Sequence, residues 1–159
     1  MTQTSRHSVS VAGAVLDGQG RFLAVQRRDN GRWEPPGGVL ELSETIQAGL
    51  VREVREETGF LVLPERLSGV YKNLSHAIVA LVFRCAVVGG QARTSEESAA
   101  VEWLTAEEVR DRMVEAFAVR LLDALDDGPT PVRHHDGVSI LATAPALPGT
   151  TATSSAQRS

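Results

Sequence analysis

The segment from residue 44 to residue 60 constrains this chain most, because it places carboxylates next to the apolar side of a predicted helix. The pattern puts an apolar stripe on the side that would face a core, at the i, i+4 and i+8 positions: Ile46, Leu50 and Val54. In the same projection Glu53 and Glu57 lie beside this stripe, and Glu56 is within reach of both. The three carboxylates can therefore approach one point in space at the end of the helix.

Such a cluster is unfavourable unless something neutralises it. The dipole of the last helical turn destabilises each anion by about 0.3–1 kcal/mol, and Arg52 and Arg55 offset only part of this cost. A divalent cation would offset it fully. An all-oxygen, carboxylate-rich set without nearby Cys or His suits Mg²⁺, with Mn²⁺ as an alternative, and argues against zinc. A solvated charged face is the alternative to a metal site, but it does not explain carboxylates beside the apolar stripe.

Composition narrows the class of protein. The chain has 159 residues, of which 42% are hydrophobic and 23% are charged, as expected for a single globular domain. Its net charge of −4 disfavours binding of a nucleic-acid polymer, whereas a small nucleotide remains compatible through a bound cation. No apolar run is long enough to span a membrane, so we expect no membrane partner. Cys85 is the only cysteine, which favours the cytoplasm, and its apolar neighbours predict that it is buried.

The apolar and turn patterns predict an α/β fold, a mixed sheet with helices on its faces. Strands are predicted at residues 9–16, 22–25, 61–63, 69–72, 77–88, 101–104 and 138–141, with a loop at 27–36 and a turn at 89–90. Helices are predicted at 44–58, capped by Ser43 and ended by Gly59, after Thr105, and at 114–125. The domain is predicted at 8–128, after an extension at 1–7 and before a C-terminal part at 129–159, whose Ala/Thr/Ser/Pro-rich residues from 143 onward are predicted to be a flexible tail.

The region around the central helix resembles the Nudix box, the signature of the Nudix hydrolase family. That motif is G-x5-E-x7-R-E-U-x-E-E-x-G-U, with U an aliphatic or aromatic residue, and residues 38–60 match it without a gap or mismatch. Flanking segments extend the resemblance over about residues 8–125, namely the Trp-x-x-Pro-Gly-Gly of 33–38 and the Glu-Trp of 102–103. Gly49 stands where alanine is common in the family, which indicates either a local stability defect or a packing need.

The resemblance implies a three-layer α/β/α sandwich that cleaves a nucleoside diphosphate linked to another moiety. The implied metal ligands are Glu53, Glu56, Glu57 and the backbone carbonyl of Gly38, and the residues implied to orient them are Glu44 and Arg52. A carboxylate must also accept the proton of the attacking water. The candidates are Glu53 and the glutamates of the loop at 94–98, which are Glu96 and Glu97.

Markers of the substrate lie outside the motif. ADP-ribose pyrophosphatases resemble one another in a proline downstream of the motif, and diadenosine-polyphosphate hydrolases in a tyrosine. Both are absent here, where the chain has Leu74, Ser75 and His76. The resemblance therefore favours a MutT-like (d)NTP pyrophosphohydrolase, with an ADP-ribose or nucleotide-sugar pyrophosphatase as the alternative. Candidate contacts to the substrate are Arg27, Arg28 and Arg32 for the phosphates and Trp33 for stacking on a base.

Two other classes of protein fit the sequence less well. A nucleotide-sensing module without turnover would typically lack glutamates of the motif, and none is missing here. An isoprenoid-diphosphate isomerase needs a catalytic cysteine, and Cys85, within a predicted strand, does not fit that role. The histidines at 76, 134 and 135 are expected to be structural, and a homodimer is compatible with the sequence.

Overall fold

A computed structural model describes residues 4–142 of the chain, within which lie eight strands and three α-helices. The strands are β1 Ser8–Leu16, β2 Phe22–Arg27, β3 Trp33–Glu34, β4 Gly37–Val39, β5 Phe60–Asn73, β6 Ile78–Gly90, β7 Ser98–Leu104 and β8 Val132–His135. The helices are α1 Ile46–Thr58, α2 Ala106–Arg112 and α3 Glu115–Leu122, and a 3₁₀ turn at Asp123–Leu125 follows α3.

The strands form one mixed sheet in the order β3-β2-β1-β6-β5-β8, with β4 paired to β1 and β7 paired to β2. The β1–β6 and β5–β8 pairs are parallel, and the other pairs are antiparallel. Because β4 pairs with β1 next to α1, the short glycine strand lies beside the acidic end of that helix.

Helices cover both faces of the sheet. Along β1, Val11 and Val15 belong to the core that packs on α1, whereas Ala12 and Ala14 belong to the core that packs on α2 and α3. This alternation is the period-two pattern of a strand buried on both faces. The three-layer α/β/α arrangement with a mixed sheet is therefore confirmed, and Cys85 is fully buried in the α1-side core as predicted.

The boundaries of α1 differ at one end from the prediction. The N-cap is Thr45, whose hydroxyl accepts a hydrogen bond from the Ala48 backbone N–H at 3.2 Å, so the prediction of Ser43 as the cap was wrong. Either hydroxyl could cap a helix, and the later start leaves Glu44 outside α1. Gly59 ends the helix in the left-handed region, with φ of 82°, as predicted.

Several strand predictions also need correction. Residues 61–63 and 69–72 belong to one continuous strand, β5, in which three register shifts against β6 absorb Pro64 and the neighbouring irregular positions. Gly89 and Gly90 do not form a turn but pair with β5 as the last residues of β6. The loop predicted at 27–36 contains the two-residue strand β3.

The C-terminal strand lies earlier than predicted. β8 runs from Val132 to His135, parallel to β5, and the predicted strand at 138–141 is reduced to a single bridge between His135 and Ile140. The Asp136 carboxylate accepts hydrogen bonds from the Val138 and Ser139 backbone, which turns the chain at that point. The tail predicted from residue 143 lies outside the described residues.

Within residues 4–142, none of the helices has the length and apolar character needed to cross a bilayer.

Candidate active site

An acidic cleft of about 540 Å³ lies between the C-terminal half of α1, strand β4 and the loop before β7. Its charged lining consists of five glutamates and one arginine: Glu53, Glu56, Glu57, Glu96, Glu97 and Arg27. The cleft therefore brings the predicted metal ligands and both loop glutamates to one place, with a strong excess of negative charge.

Arg52 organises the entrance of this cleft. Its Nε and Nη2 donate to the two carboxylate oxygens of Glu44 at 2.6 and 2.7 Å, and its Nη1 donates to Glu53 at 2.8 Å. The same Nη1 lies 3.2 Å from the more exposed Glu56. Because Glu44 precedes the helix, this bidentate pair fixes the guanidinium and thereby the position of Glu53.

Glu53 and Glu57 are the partly buried carboxylates of the cleft. Burial raises the pKa of Glu53 in spite of its hydrogen bond to Arg52. Burial, helped by the charges of Glu53 and Glu97, raises the pKa of Glu57 to about 8 in spite of the hydrogen bond from the Gly37 backbone. The charge of Glu97 therefore contributes to the raised pKa of both helix carboxylates, as expected for groups that face one cleft.

Strand β4 approaches the helix very closely. The Gly37 backbone N–H donates to Oε2 of Glu57 at 3.0 Å. A Cβ built on Gly37 would lie 2.7 Å from the backbone Cα of Ala12, so only glycine fits there, and a Cβ built on Gly38 would lie 2.6 Å from Cδ of Glu53 and would displace that carboxylate. Gly49 is closely packed inside α1, since a Cβ there would lie 2.5 Å from Cδ1 of Leu40 and 3.1 Å from Oε1 of Glu44, which favours the packing interpretation of this residue.

The donors in the cleft fit a hard divalent cation, although they are not arranged as a finished site. Within residues 4–142 no three Asp, Glu, His or Cys side chains are already placed to hold a metal, and Arg52 is paired with both Glu53 and Glu56. Glu57 has only a backbone N–H as a hydrogen-bond partner in the described part of the chain, and its raised pKa reflects burial close to other carboxylates. Carboxylate oxygens that lack compensation are the donors that Mg²⁺ and Mn²⁺ prefer.

The structure separates the four predicted substrate contacts. Arg27 lines the cleft and is paired with Asp29 at 2.7 Å and with Glu34 at 3.6 Å. Arg28 donates to the Ser95 carbonyl at 2.9 Å and so supports the loop that bears Glu97. Arg32 is exposed in the turn before β3, and the Trp33 ring packs on the α2/α3-side core, with the guanidinium of Arg112 at 5.6 Å.

A second cavity, of about 240 Å³, adjoins the cleft through Gly37 and Gly38 and contains polar residues that sequence reasoning missed. Its charged lining residues include Glu34 and Arg120. A signal was present in the sequence, since Arg120 is the only charged residue in the otherwise apolar stretch from Ala116 to Leu122. Nothing in the sequence singles out Glu34, because its place in the cavity depends on the pairing of β3 with β2.

Comparisons with known proteins agree with this geometry. The model of the NUDIX domain matches residues 6–125, which is most of the chain. A MutT-like protein of Streptomyces ambofaciens is 58% identical over 140 residues, which cover 88% of this chain and 91% of that protein. An ADP-ribose pyrophosphatase of Methanocaldococcus jannaschii is 27% identical over 104 residues, which cover 61% of this chain and 62% of that protein.

Among solved structures, an ADP-ribose pyrophosphatase of Streptococcus suis superposes with a TM-score of 0.69. The alignment covers 82% of this chain and 100% of that one, and at 19% identity it shows the fold alone. The family match and the long alignment at 58% identity, together with the complete motif, establish the family. The chain belongs to the Nudix hydrolases, enzymes that act on diphosphate bonds.

Proposed function

We propose that this protein is a MutT-like nucleoside-triphosphate pyrophosphohydrolase that converts a (d)NTP into the monophosphate and pyrophosphate. The observation that most supports catalysis is the pair of partly buried carboxylates, Glu53 and Glu57, beside the glycine strand β4. The relative at 58% identity is named a MutT-like protein, which supports this subclass over others.

The residues that would hold a divalent cation are Glu53, Glu56, Glu57 and the backbone carbonyl of Gly38. Bound there, Mg²⁺ or Mn²⁺ would neutralise the diphosphate oxygens and make a water more acidic. Arg52 and Glu44 would keep the glutamates in position through the bidentate contact.

The proton acceptor we propose is Glu97. Glu53 and Glu57 are the carboxylates that a cation would occupy, and a carboxylate bound to a cation is a weak base. Glu97 faces the same cleft from an exposed loop, which Arg28 holds through the Ser95 carbonyl. The attacking water forms a bond to phosphorus, its proton passes to Glu97, and the anhydride P–O bond breaks with pyrophosphate as the leaving group.

A panel of substrates tests this function. We would incubate the full chain with Mg²⁺ or Mn²⁺ and the eight common NTPs and dNTPs, ADP-ribose, nucleotide sugars and a dinucleoside polyphosphate, and separate the products by ion-exchange chromatography. Monophosphate and pyrophosphate from a triphosphate, at higher kcat/KM than for any other class, would support the proposal. Preferential cleavage of ADP-ribose would favour the alternative, and nucleotide binding without turnover of any compound would favour a sensing module.

A further inference from the structure

The cavity behind β4 has a different character from the acidic cleft, with which it shares a wall. Apolar side chains form most of its lining, among them Val11, Ala12, Ile78 and Phe117. Its charged lining residues are Glu34, Arg27 and Arg120. Because Gly37 and Gly38 separate the cavity from Glu53 and Glu57, a group attached to a diphosphate in the cleft could reach into it.

Arg120 is the unusual residue of this cavity. Arg120 is 9% exposed, yet its Nε–H has no acceptor within the described residues, and the charge of Glu34 offsets only part of the effect of burial. Its guanidinium lies over the rings of Phe117 at 4.8 Å and Tyr71 at 5.5 Å. A buried guanidinium without an acceptor is costly, and burial lowers the pKa of Arg120 to about 10.

The contact of Arg120 with His135 does not remove this deficit. Arg120 Nη2 lies 3.1 Å from Nε2 of His135, while the Gly137 backbone N–H donates to Nδ1 of the same ring at 2.9 Å. A neutral imidazole has one acceptor nitrogen, so it cannot accept from both donors. Arg120 therefore has N–H groups in excess of the acceptors around it.

We propose, building on the proposed function, that the cavity receives the base of the nucleotide and selects bases with a lactam edge, a ring N–H next to a carbonyl, through Arg120 and Glu34. Arg120 would donate to the carbonyl oxygen, and the partly buried Glu34 carboxylate would accept from the ring N–H. Guanine, hypoxanthine, uracil and thymine have this edge. Adenine presents an amino group and a bare ring nitrogen instead.

The surroundings favour a base over a phosphate as the partner of Arg120. Apolar residues in the lining of the cavity suit the faces of a planar ring. Glu34 would repel a phosphate but accepts from a neutral N–H. Glu34 also remains partly buried beside Arg27 at 3.6 Å, so its carboxylate is held at the cavity and not in solvent.

His135 is then a positioning residue. It comes from β8, which lies beyond the residues matched by the family model, and it packs against Arg120 and against the Phe117 ring at 6.5 Å between centroids. The parallel pairing of β8 with β5 thus places His135 against Arg120. Its loss would leave Arg120 free to adopt other rotamers.

Two matched substrate pairs test the proposal, because ITP and ATP differ at the relevant edge of the base, as do UTP and CTP. We would measure kcat/KM for all four with the wild type, Arg120→Met, Glu34→Gln and His135→Leu. We expect the wild type to prefer ITP over ATP and UTP over CTP by tenfold or more, and both cavity variants to reduce each preference to within about threefold. His135→Leu should raise KM for ITP with little change in kcat, and His135→Gln should bring KM for ITP part of the way back to the wild-type value.

Arg112→Met is the matched control, because Arg112 also lies over an aromatic ring but is exposed and outside the cavity. It should keep the wild-type preference. Binding of IMP and AMP by calorimetry gives the same comparison without turnover, so it tests the cavity even if no triphosphate is hydrolysed. Equal binding of IMP and AMP by the wild type, or an equal loss for both on Arg120→Met in a variant with native circular dichroism, would overturn the proposal.

Discussion

Arg52 and Glu44 are joined by two short contacts, with Nε and Nη2 of Arg52 at 2.6 and 2.7 Å from the carboxylate oxygens of Glu44. This pair lies across the boundary between α1 and the segment before it. It leaves Nη1 of Arg52 to contact Glu53 at 2.8 Å. Because Glu44 lies outside α1, the pair links the position of the segment before the helix to that of Glu53, a proposed metal ligand.

Arg52→Lys should weaken this support, because an ammonium cannot form the planar two-point contact. We expect a 10–100-fold loss in Mn²⁺ affinity, measured by water-proton relaxation enhancement, with little change in the melting temperature. Arg112→Lys is the matched control, since Arg112 bonds Glu102 at 2.7 Å and Glu108 at 3.0 Å on an exposed surface away from the cleft. An equal effect of the two substitutions would contradict the role given to Arg52.

Glu97→Gln should lower kcat by about 10²–10⁴-fold if Glu97 accepts the proton of water. The amide keeps the size of the side chain but cannot act as a base. Mn²⁺ affinity should change much less than kcat, since Glu97 is not among the proposed ligands. Glu107→Gln, an exposed glutamate of α2, should retain the wild-type rate; a wild-type kcat in Glu97→Gln would remove Glu97 from the mechanism.

Metal uptake should release a proton from Glu57. Its pKa is raised to about 8 by burial, so in the metal-free protein the carboxyl is mostly protonated at pH 7 and must ionise before it can bind a cation. The apparent affinity for Mg²⁺ should therefore rise with pH and level off above about pH 8. Calorimetry in two buffers of different ionisation enthalpy measures the released protons directly, and their number should fall toward zero in Glu57→Gln.

The buried His135 should make the fold less stable in mild acid. Burial, and secondarily the charge of Arg120, lower its pKa to about 4, while Asp136 acts in the opposite direction. The unfolded chain binds a proton near pH 6.5, so the stabilisation is complete above that pH and is lost as the pH falls toward 4. Urea unfolding at pH 7.5 and 4.5 should show a loss about 1–3 kcal/mol larger in the wild type than in His135→Leu.

His76→Gln serves as the control for that comparison, because His76 is exposed in the turn between β5 and β6. It should leave the acid dependence of stability as it is in the wild type. Identical pH dependence in the wild type and His135→Leu would show that the ring is not held neutral by the fold.

Local patterns predicted the acidic end of α1 well, because the positions of Glu53, Glu56 and Glu57 depend on one helix and on Gly59, which ends it. They failed at the start of α1, where Ser43 and Thr45 are nearly equivalent as N-cap residues. They also failed in β5, where pairing with β6 keeps the strand continuous through residues that locally disfavour a strand. The metal-ligand roles of these residues stay predictions.

The second cavity could not be predicted from local pattern. Glu34 and Arg120 are far apart in sequence and line one cavity only because β3 pairs with β2 in the sheet. Local pattern also misplaced some of the burial along α1. Ile46 fits the apolar stripe but is 37% exposed, whereas Thr58 is buried at the other end of the helix. Helical periodicity locates a face, while the length of the covering layer decides which of its residues are buried.

The most direct test of the account is a Mn²⁺ titration of the full chain followed by electron paramagnetic resonance, with the Glu53→Gln and Glu57→Gln variants in parallel. The account predicts saturable uptake by the wild type, uptake at least tenfold weaker in each variant, and loss of triphosphate hydrolysis in Glu53→Gln while its circular dichroism remains native. Uptake that is absent from the wild type, or unchanged in both variants, would contradict a metal site at the end of α1.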